Sequence, residues 1–232
     1  MTTDFVQFFQ DSLPSLMNGL ATTLLLTFVS ITVGFFIGLG LALGRVYGRK
    51  IINWFCIGYI EVIRGTPLLV QLFIIYFGLP SIGIGFKPLQ AALIGLSMNS
   101  GAYQAEYLRG AIQSVEAGQM TAARSMGMNR LQSIQHIVLP QALRIAIPAW
   151  SNEFIYLLQY SSIAYIITIA ELTWEGKNIA VHSFRYLEIF AIIAIIYLVL
   201  TIISTEIIDK IAKRLSIPGI GAAKGAETRT FF

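Results

Sequence analysis

A chain of 232 residues that is 56% hydrophobic and only 12% charged, with a mean hydropathy of +0.71, is too apolar for a soluble domain. Its apolar residues run in blocks of about 18 or more, the length that crosses a hydrocarbon core about 30 Å thick, so the chain reads as an integral membrane protein. The single cysteine, Cys56, excludes an internal disulfide and a cysteine metal cluster, and the net charge of +4 sits at the ends of apolar runs, a topogenic pattern rather than a nucleic-acid-binding one.

The opening, MTTDFVQFFQDSLP, carries Asp4 and Asp11 where a secretory leader would be basic, so no cleavable signal is expected. Spans are predicted at roughly 19–43, 55–79, 89–111, 141–170 and 187–208, within one domain covering 1–232. The first contains Gly34, Gly38, Gly40 and Gly44, whose four-residue spacings let another helix approach closely in lipid. The second has an ambiguous start. EVIRGTPLLVQLFIIYFGLP reads as a crossing from Gly65 to Phe86 with Arg64 at its boundary, or as one from near Phe55 that buries Glu61 and Arg64 as a pair. Either way, Gly65 and Pro67 mark a helix break.

The third span carries Asn99, Tyr103, Glu106 and Gly110 at i, i+4, i+7 and i+11, one helical face. After it comes SVEAGQMTAARSMGMNRLQSIQHIVLP, far longer than a plain connection needs. From Glu116 onward, Met120, Ala123, Gly127 and Leu131 share a helical face, flanked by Thr121, Arg124 and Ser125. Gly127 suits the left-handed position that ends a helix, and a second apolar pattern follows at Leu131, Ile134, Ile137 and Val138, closing at Pro140. With small Ala122, Ala123 and Ser125 and no Trp or Phe, the segment suits a narrow protein groove better than a lipid surface.

The fourth span is too long for one straight crossing and is expected to be interrupted at Pro148. Asn152, Tyr156 and Gln159 share a face, with Glu153 and Tyr160 beside them. Asn152 and Glu153 lie ~18–20 Å along the axis from Pro140, deep in the bilayer. An intramembrane carboxylate faces protein or a water-filled cavity. Any one of these residues could be interhelical glue, but a stripe on two helices favours a translocation path. The fifth span has almost no polar interior and reads as lipid-facing or packing structure, and the tail IPGIGAAKGAETRTFF reads as a mobile end.

Five crossings put the termini on opposite sides. With the N-terminus outside, twelve basic residues fall on the inner side (Arg45, Arg49, Lys50, Arg109, Arg124, Arg130, Arg144, Lys210, Lys213, Arg214, Lys224 and Arg229). Only three, Lys87, Lys177 and Arg185, fall outside, so the expected orientation is N-out and C-in, with the insert cytoplasmic.

AGQMTAARSMGMNRLQSIQHIVLPQALRIAIP resembles the cytoplasmic coupling motif of binding-protein-dependent ABC importers, the Glu-Ala-Ala loop with its glycine and trailing Leu-Pro. EVIRGTPLLVQLFIIYFGLP, SGAYQAEYLRGAIQSV, NEFIYLL and IAELT resemble the permeases for polar amino acids, the histidine, arginine and glutamine group. The resemblance runs from about Gly19 to Asp209. Two positions depart from the pattern: Thr121 stands where the motif has its first Glu, and Gln159-Tyr160-Ser161-Ser162 replaces a frequent Lys-Asp-Thr-Ser.

The resemblance implies an all-α integral membrane fold, the ABC type I importer permease core of five transmembrane helices with a cytoplasmic coupling helix in segment 114–138. It implies a multi-pass protein of the cell (inner or plasma) membrane that pairs with a second permease copy or paralogue. ABC ATP-binding subunits would dock on Glu116, Ala117, Gly118, Met120, Ala122 and Ala123, with Arg124, Gly127 and Arg130. An extracytoplasmic amino-acid-binding protein would deliver a polar amino acid to a path lined by Thr66, Asn99, Tyr103, Asn152, Glu153, Gln159 and Tyr160. ATP and Mg would belong to the partner, since no G-x-x-x-x-G-K-[ST] loop is present, and the chain is not expected to be an enzyme by itself. The rival readings are a passive channel or an ion-gradient-driven transporter, and an intramembrane enzyme, for which only His136 and His182 are available, both outside the predicted spans.

Overall fold

In the computed structural model, which describes residues 2–215, all regular structure is helical. Helix α1 (Thr2–Tyr47) has 46 residues and is therefore about 70 Å long, more than any bilayer requires. The first helix, expected to start near residue 19, thus starts at Thr2. Its extension has apolar support: Phe8, Leu16 and Leu20 pack with Leu172 and Ala180 of α8 (Leu172–Ser183) and with Ile189 and Ile193 of α9 (Tyr186–Leu215).

Helices α2 (Lys50–Arg64) and α3 (Leu68–Phe73) meet at the Gly65–Pro67 break, which bends the pair by 101°. The helix that leads into the break begins at Lys50. Glu61 and Arg64 form no ion pair with each other; both are exposed, and the Arg64 guanidinium lies 5.1 Å from the centroid of the Tyr103 ring. After Phe73 the chain runs through a wide π turn (Ile74–Gly78) and a 3₁₀ turn (Leu79–Ile82). A second π turn (Ile134–Val138) leads into α7 (Leu139–Tyr160). Each precedes a proline, Pro80 and Pro140, whose ring would crowd the carbonyl four residues back in a regular α-helix; widening the turn relieves that clash.

The long helix α4 (Pro88–Ser114) is the centre of the bundle, packed by α1, α2, α3 and α7. Small residues bring α1 against it. A Cβ at Gly38 would lie 2.9 Å from the Gly101 carbonyl oxygen, and one at Gly34 2.9 Å from the Gln104 amide nitrogen. Gly44 makes the equivalent approach to Cys56 of α2, where a Cβ would lie 2.7 Å from the sulfur, whereas Gly40 faces open space. Leu26, Ile31, Leu72, Leu96, Phe154 and Leu157 fill the main core.

Pro148 does not interrupt the fourth span as expected; it sits inside α7, which stays helical because Ala142, Ala146 and Leu158 are packed against the bundle. The break falls later. A 3₁₀ turn (Ser161–Ile167) ends at Thr168 with a left-handed φ of 66°, and the chain restarts as α8 at a 52° bend. Glu171 caps α8, its carboxylate accepting from the amides of Thr173 at 2.9 Å and Trp174 at 2.8 Å. The Tyr197 hydroxyl of α9 donates to the same carboxylate at 3.2 Å, so the largely apolar α9 carries a half-buried polar anchor.

Two helices, Val6–Tyr47 and Tyr186–Arg214, are long and apolar enough to cross a membrane, and the two bent pairs raise this to four if each is one span. Helix α4 is about 40 Å long. Ser97, Asn99, Ser100 and Gln104 lower its apolar content, and all four are buried against other helices rather than lipid. The expected mobile tail, with Lys224 and Arg229, lies outside the described residues.

Candidate functional site

The helix break at Gly65–Pro67 frees backbone carbonyls, and one side chain collects them. The Gln71 amide donates to the carbonyl oxygens of Ile63 (2.7 Å) and Thr66 (3.0 Å) and to the Thr66 hydroxyl (3.0 Å). Its own oxygen accepts from the Asn99 amide at 3.1 Å. Two expected site residues, Thr66 and Asn99, are thereby joined through a third that the sequence reading passed over. A lone glutamine inside the apolar run LLVQLFII, four residues after Pro67, was the available signal.

A second network lies deeper. Glu153 is 5% exposed and accepts from Ser100 Oγ at 2.7 Å, with Tyr107 beside it. Gln104 donates to Ser100 Oγ at 3.0 Å and to the Ile31 carbonyl at 3.2 Å, and accepts from Trp150 Nε1 at 2.9 Å. These bonds join α1, α4 and α7, and they satisfy polar groups whose burial would otherwise be costly.

The third feature is an aromatic surface with a charge on it. Tyr103 lies under Arg64, and Tyr107 is within electrostatic reach of Arg64, Tyr103, Tyr156 and Glu153. Tyr156 and Tyr160, about half exposed, stack at 6.2 Å between centroids with an interplanar angle of 21°. Asn152, half-buried, precedes Tyr156 by one helical turn. Gln159 points elsewhere: it lines a groove of about 530 Å³ with Ser162, Thr173, Tyr197 and Thr201, between the end of α7 and α9. Of the expected path residues, Asn99 and Glu153 are buried, Thr66 is exposed at the helix break, Tyr103, Asn152 and Tyr160 go with the aromatic surface, and Gln159 stands apart. Arg64, Gln71, Ser100, Gln104 and Tyr107 join them only in three dimensions.

Glu106 lies on the predicted face of α4 with Tyr103 but serves a different purpose. It pairs with Arg45 of α1 and, at 2.8 Å, with Arg109.

In the insert, α5 (Ala117–Ser125) turns at Gly127, whose φ is +87°. Gly127 N–H donates to the Arg124 carbonyl at 3.0 Å and Met128 N–H to the Ala123 carbonyl at 3.2 Å, the paired bonds of a left-handed helix stop. Asn129 then caps α6 (Arg130–Ser133): it accepts from the Gln132 amide at 2.9 Å, and the Gln132 side chain returns the bond to the Asn129 amide. Ala123 is buried and Met120 packs towards the Leu108–Ile112–Val138 cluster. Glu116, Ala117, Gly118, Ala122, Arg124 and Arg130 are exposed. Leu131, expected to share a helical face with Met120, is 62% exposed while Met120 is half-buried, because the Gly127 turn rotates the second helix away from the first.

Against known proteins, residues 34–217 match the family described as binding-protein-dependent transport system inner membrane component. The probable amino-acid ABC transporter permease protein YckA of Bacillus subtilis is 44% identical over 187 residues, covering 81% of this chain and 83% of that one. The glutamine transport system permease protein GlnP of Escherichia coli is 36% identical over 208 residues, 89% of this chain and 95% of that one. The nopaline transport system permease protein NocM of Agrobacterium fabrum is 37% identical over 213 residues, 88% of each. Among solved structures, an amino acid ABC transporter with histidines aligns with a TM-score of 0.84 at 41% identity, over 92% of this chain and all of that one (100%). An inward-facing MetNI methionine transporter aligns at 0.75 and 22% identity, a likeness of fold, over 88% of this chain and 97% of that one.

Proposed function

The chain belongs to the binding-protein-dependent transport system inner membrane component family, and on that premise we propose that it is the transmembrane subunit of an ATP-driven importer of polar amino acids. It crosses the membrane five times, N-terminus out and C-terminus in, with the two bent pairs and α4 completing the count. The observation that carries this reading is the form of the insert: a short helix anchored inward by Met120 and Ala123, stopped by Gly127, and exposing small residues outward. A segment so held is suited to enter a groove on an ATP-binding subunit. ATP and Mg are bound there, not by this chain.

The aromatic surface supports the substrate class. A polar amino acid carries an ammonium and a carboxylate at one end. Arg64 offers a guanidinium for the carboxylate, and Glu153 offers a carboxylate for the ammonium. Tyr103 and Tyr107 lie between them in electrostatic terms, with Asn99, Asn152, Thr66 and Tyr160 as further polar lining. Gln159, which faces the groove beside α9, stays outside this lining. An extracytoplasmic binding protein delivers the substrate, and a second permease copy or paralogue completes the cavity. Motion of the docked inserts switches it between outward and inward access; coupling requires that the substrate bind the two states differently.

The test is to purify the chain from its own host in mild detergent and identify what stays bound by mass spectrometry. Co-purification of an ABC-type ATPase is expected. Recovery of the chain alone in several detergents, with uptake driven by an ion gradient, would replace this reading with that of a secondary transporter.

A further inference from the structure

We infer that Arg130 is a positioning residue: through the ring of Tyr47 it ties the coupling segment to the inner end of α1, so that displacement of the docked segment reaches α1 directly. The inference rests on the reading of α5 as the docking helix.

The Arg130 guanidinium carbon lies 5.4 Å from the centroid of the Tyr47 ring, within the roughly 6 Å reach of a cation–π contact. Tyr47 is the last residue of α1 and packs with Met120 against the cluster of Leu108, Ile112 and Val138 beneath the insert. The structure is stiff on both sides of this contact. On the insert side, the Gly127 turn and the reciprocal Asn129–Gln132 cap make Arg130 move with α5 as one body. On the α1 side, Arg45 is held by Glu106 of α4, and the Asn53 amide of α2 donates to the Arg45 carbonyl.

Covalent continuity already links the insert to α4 and, through the Ile134–Val138 turn, to α7. It gives no such link to α1. Yet α1 meets α4 closely at Gly34 and Gly38, where an added Cβ would lie 2.9 Å from atoms of α4, so α1 must accommodate any movement of α4. An α1 that lagged behind would oppose the movement of α4. The Arg130–Tyr47 contact adds a directional connection to the packing of Met120 beside Tyr47 at the end of α1.

The experiment uses the assembled transporter in lipid vesicles with its co-purified ATPase and binding protein. ATP hydrolysis and uptake of radiolabelled glutamine, histidine and arginine are measured together. Arg130→Gln and Tyr47→Leu should each lower uptake per ATP by about fivefold, the order of one partly exposed cation–π contact. The double variant should be no worse than either, because both remove the same contact. Tyr47→Phe, which keeps the ring face, should restore coupling, an effect that loss of general stability would not produce. Where Tyr47→Leu fails to assemble, Arg130→Gln with Tyr47→Phe carries the test. Normal uptake per ATP in Arg130→Gln would overturn the inference, as would a loss in Arg130→Gln that Tyr47→Leu does not share, since Arg130 would then act on the ATPase itself. Absence of any ATPase from the wild-type complex would instead remove the docking reading and this inference with it.

Discussion

Ser100 of α4 donates a 2.7 Å hydrogen bond to Glu153 of α7, and both side chains are buried at the centre of the bundle. The pair gives two separable expectations. Ser100→Ala removes a donor from a buried carboxylate and should lower stability by about 1–3 kcal/mol, read as a lower melting temperature in detergent. Glu153→Gln retains an oxygen that can accept from Ser100 but loses the charge, so assembly should persist while uptake falls roughly ten- to hundredfold, the scale of a charge-assisted hydrogen bond of ~1.5–3 kcal/mol. Unchanged uptake across an amino acid panel would reduce Glu153 to a contact between helices.

Arg64 is exposed at a helix break, over the ring of Tyr103. Arg64→Ala should leave the fold intact and lower uptake about tenfold or more, and Arg64→Lys should recover only part of it, because an ammonium lacks the planar fork that grips a carboxylate. Equal uptake by Ala, Lys and wild type would remove Arg64 from the substrate path.

Gly127 has a φ of +87°, and its missing Cβ would meet nothing within 4 Å. A substitution there acts on the backbone and on whatever docks, not on this chain's own packing. Gly127→Trp should leave membrane insertion intact and abolish recovery of the ATPase in the pull-down. Normal uptake in that variant would sink the docking role of the insert.

Gly38 and Gly40 lie on the same helix in unlike settings, one against the Gly101 carbonyl of α4 and the other facing open space. Gly38→Leu should force α1 from α4 and lower thermal stability by a few kcal/mol, in the range of overpacked cores of about 1–3 kcal/mol. Gly40→Leu should be tolerated. Similar melting temperatures for the two would contradict the close α1–α4 approach.

Much of this architecture was legible in residue order. The RGTP break, the left-handed stop at Gly127 and the polar face of α4 follow from local rules: proline and glycine restrict or free the backbone, and helical period assigns faces. Pro148 misled for the same reason. A proline weakens a helix locally, but tertiary packing of α7 held it together, and the break moved to Thr168–Glu171. The extension of α1 back to Thr2 was likewise hidden, since its support comes from α8 and α9.

The sequence by itself determined that the chain spans a membrane in helical blocks, that two of them carry polar stripes, and where an insert leaves the bundle. These properties depend on residues a few positions apart, and hydropathy and backbone sterics act at that range. Only the tertiary structure decided that Gln71 holds Asn99, that Ser100 and Gln104 enclose Glu153, that Glu106 belongs to Arg45, and that Arg130 reaches Tyr47. Those pairs join different helices, and which polar group meets which depends on the axial register and rotation of packed helices. Small residues such as Gly34 and Gly38 set that register by how closely they let two backbones approach, and no local pattern encodes it.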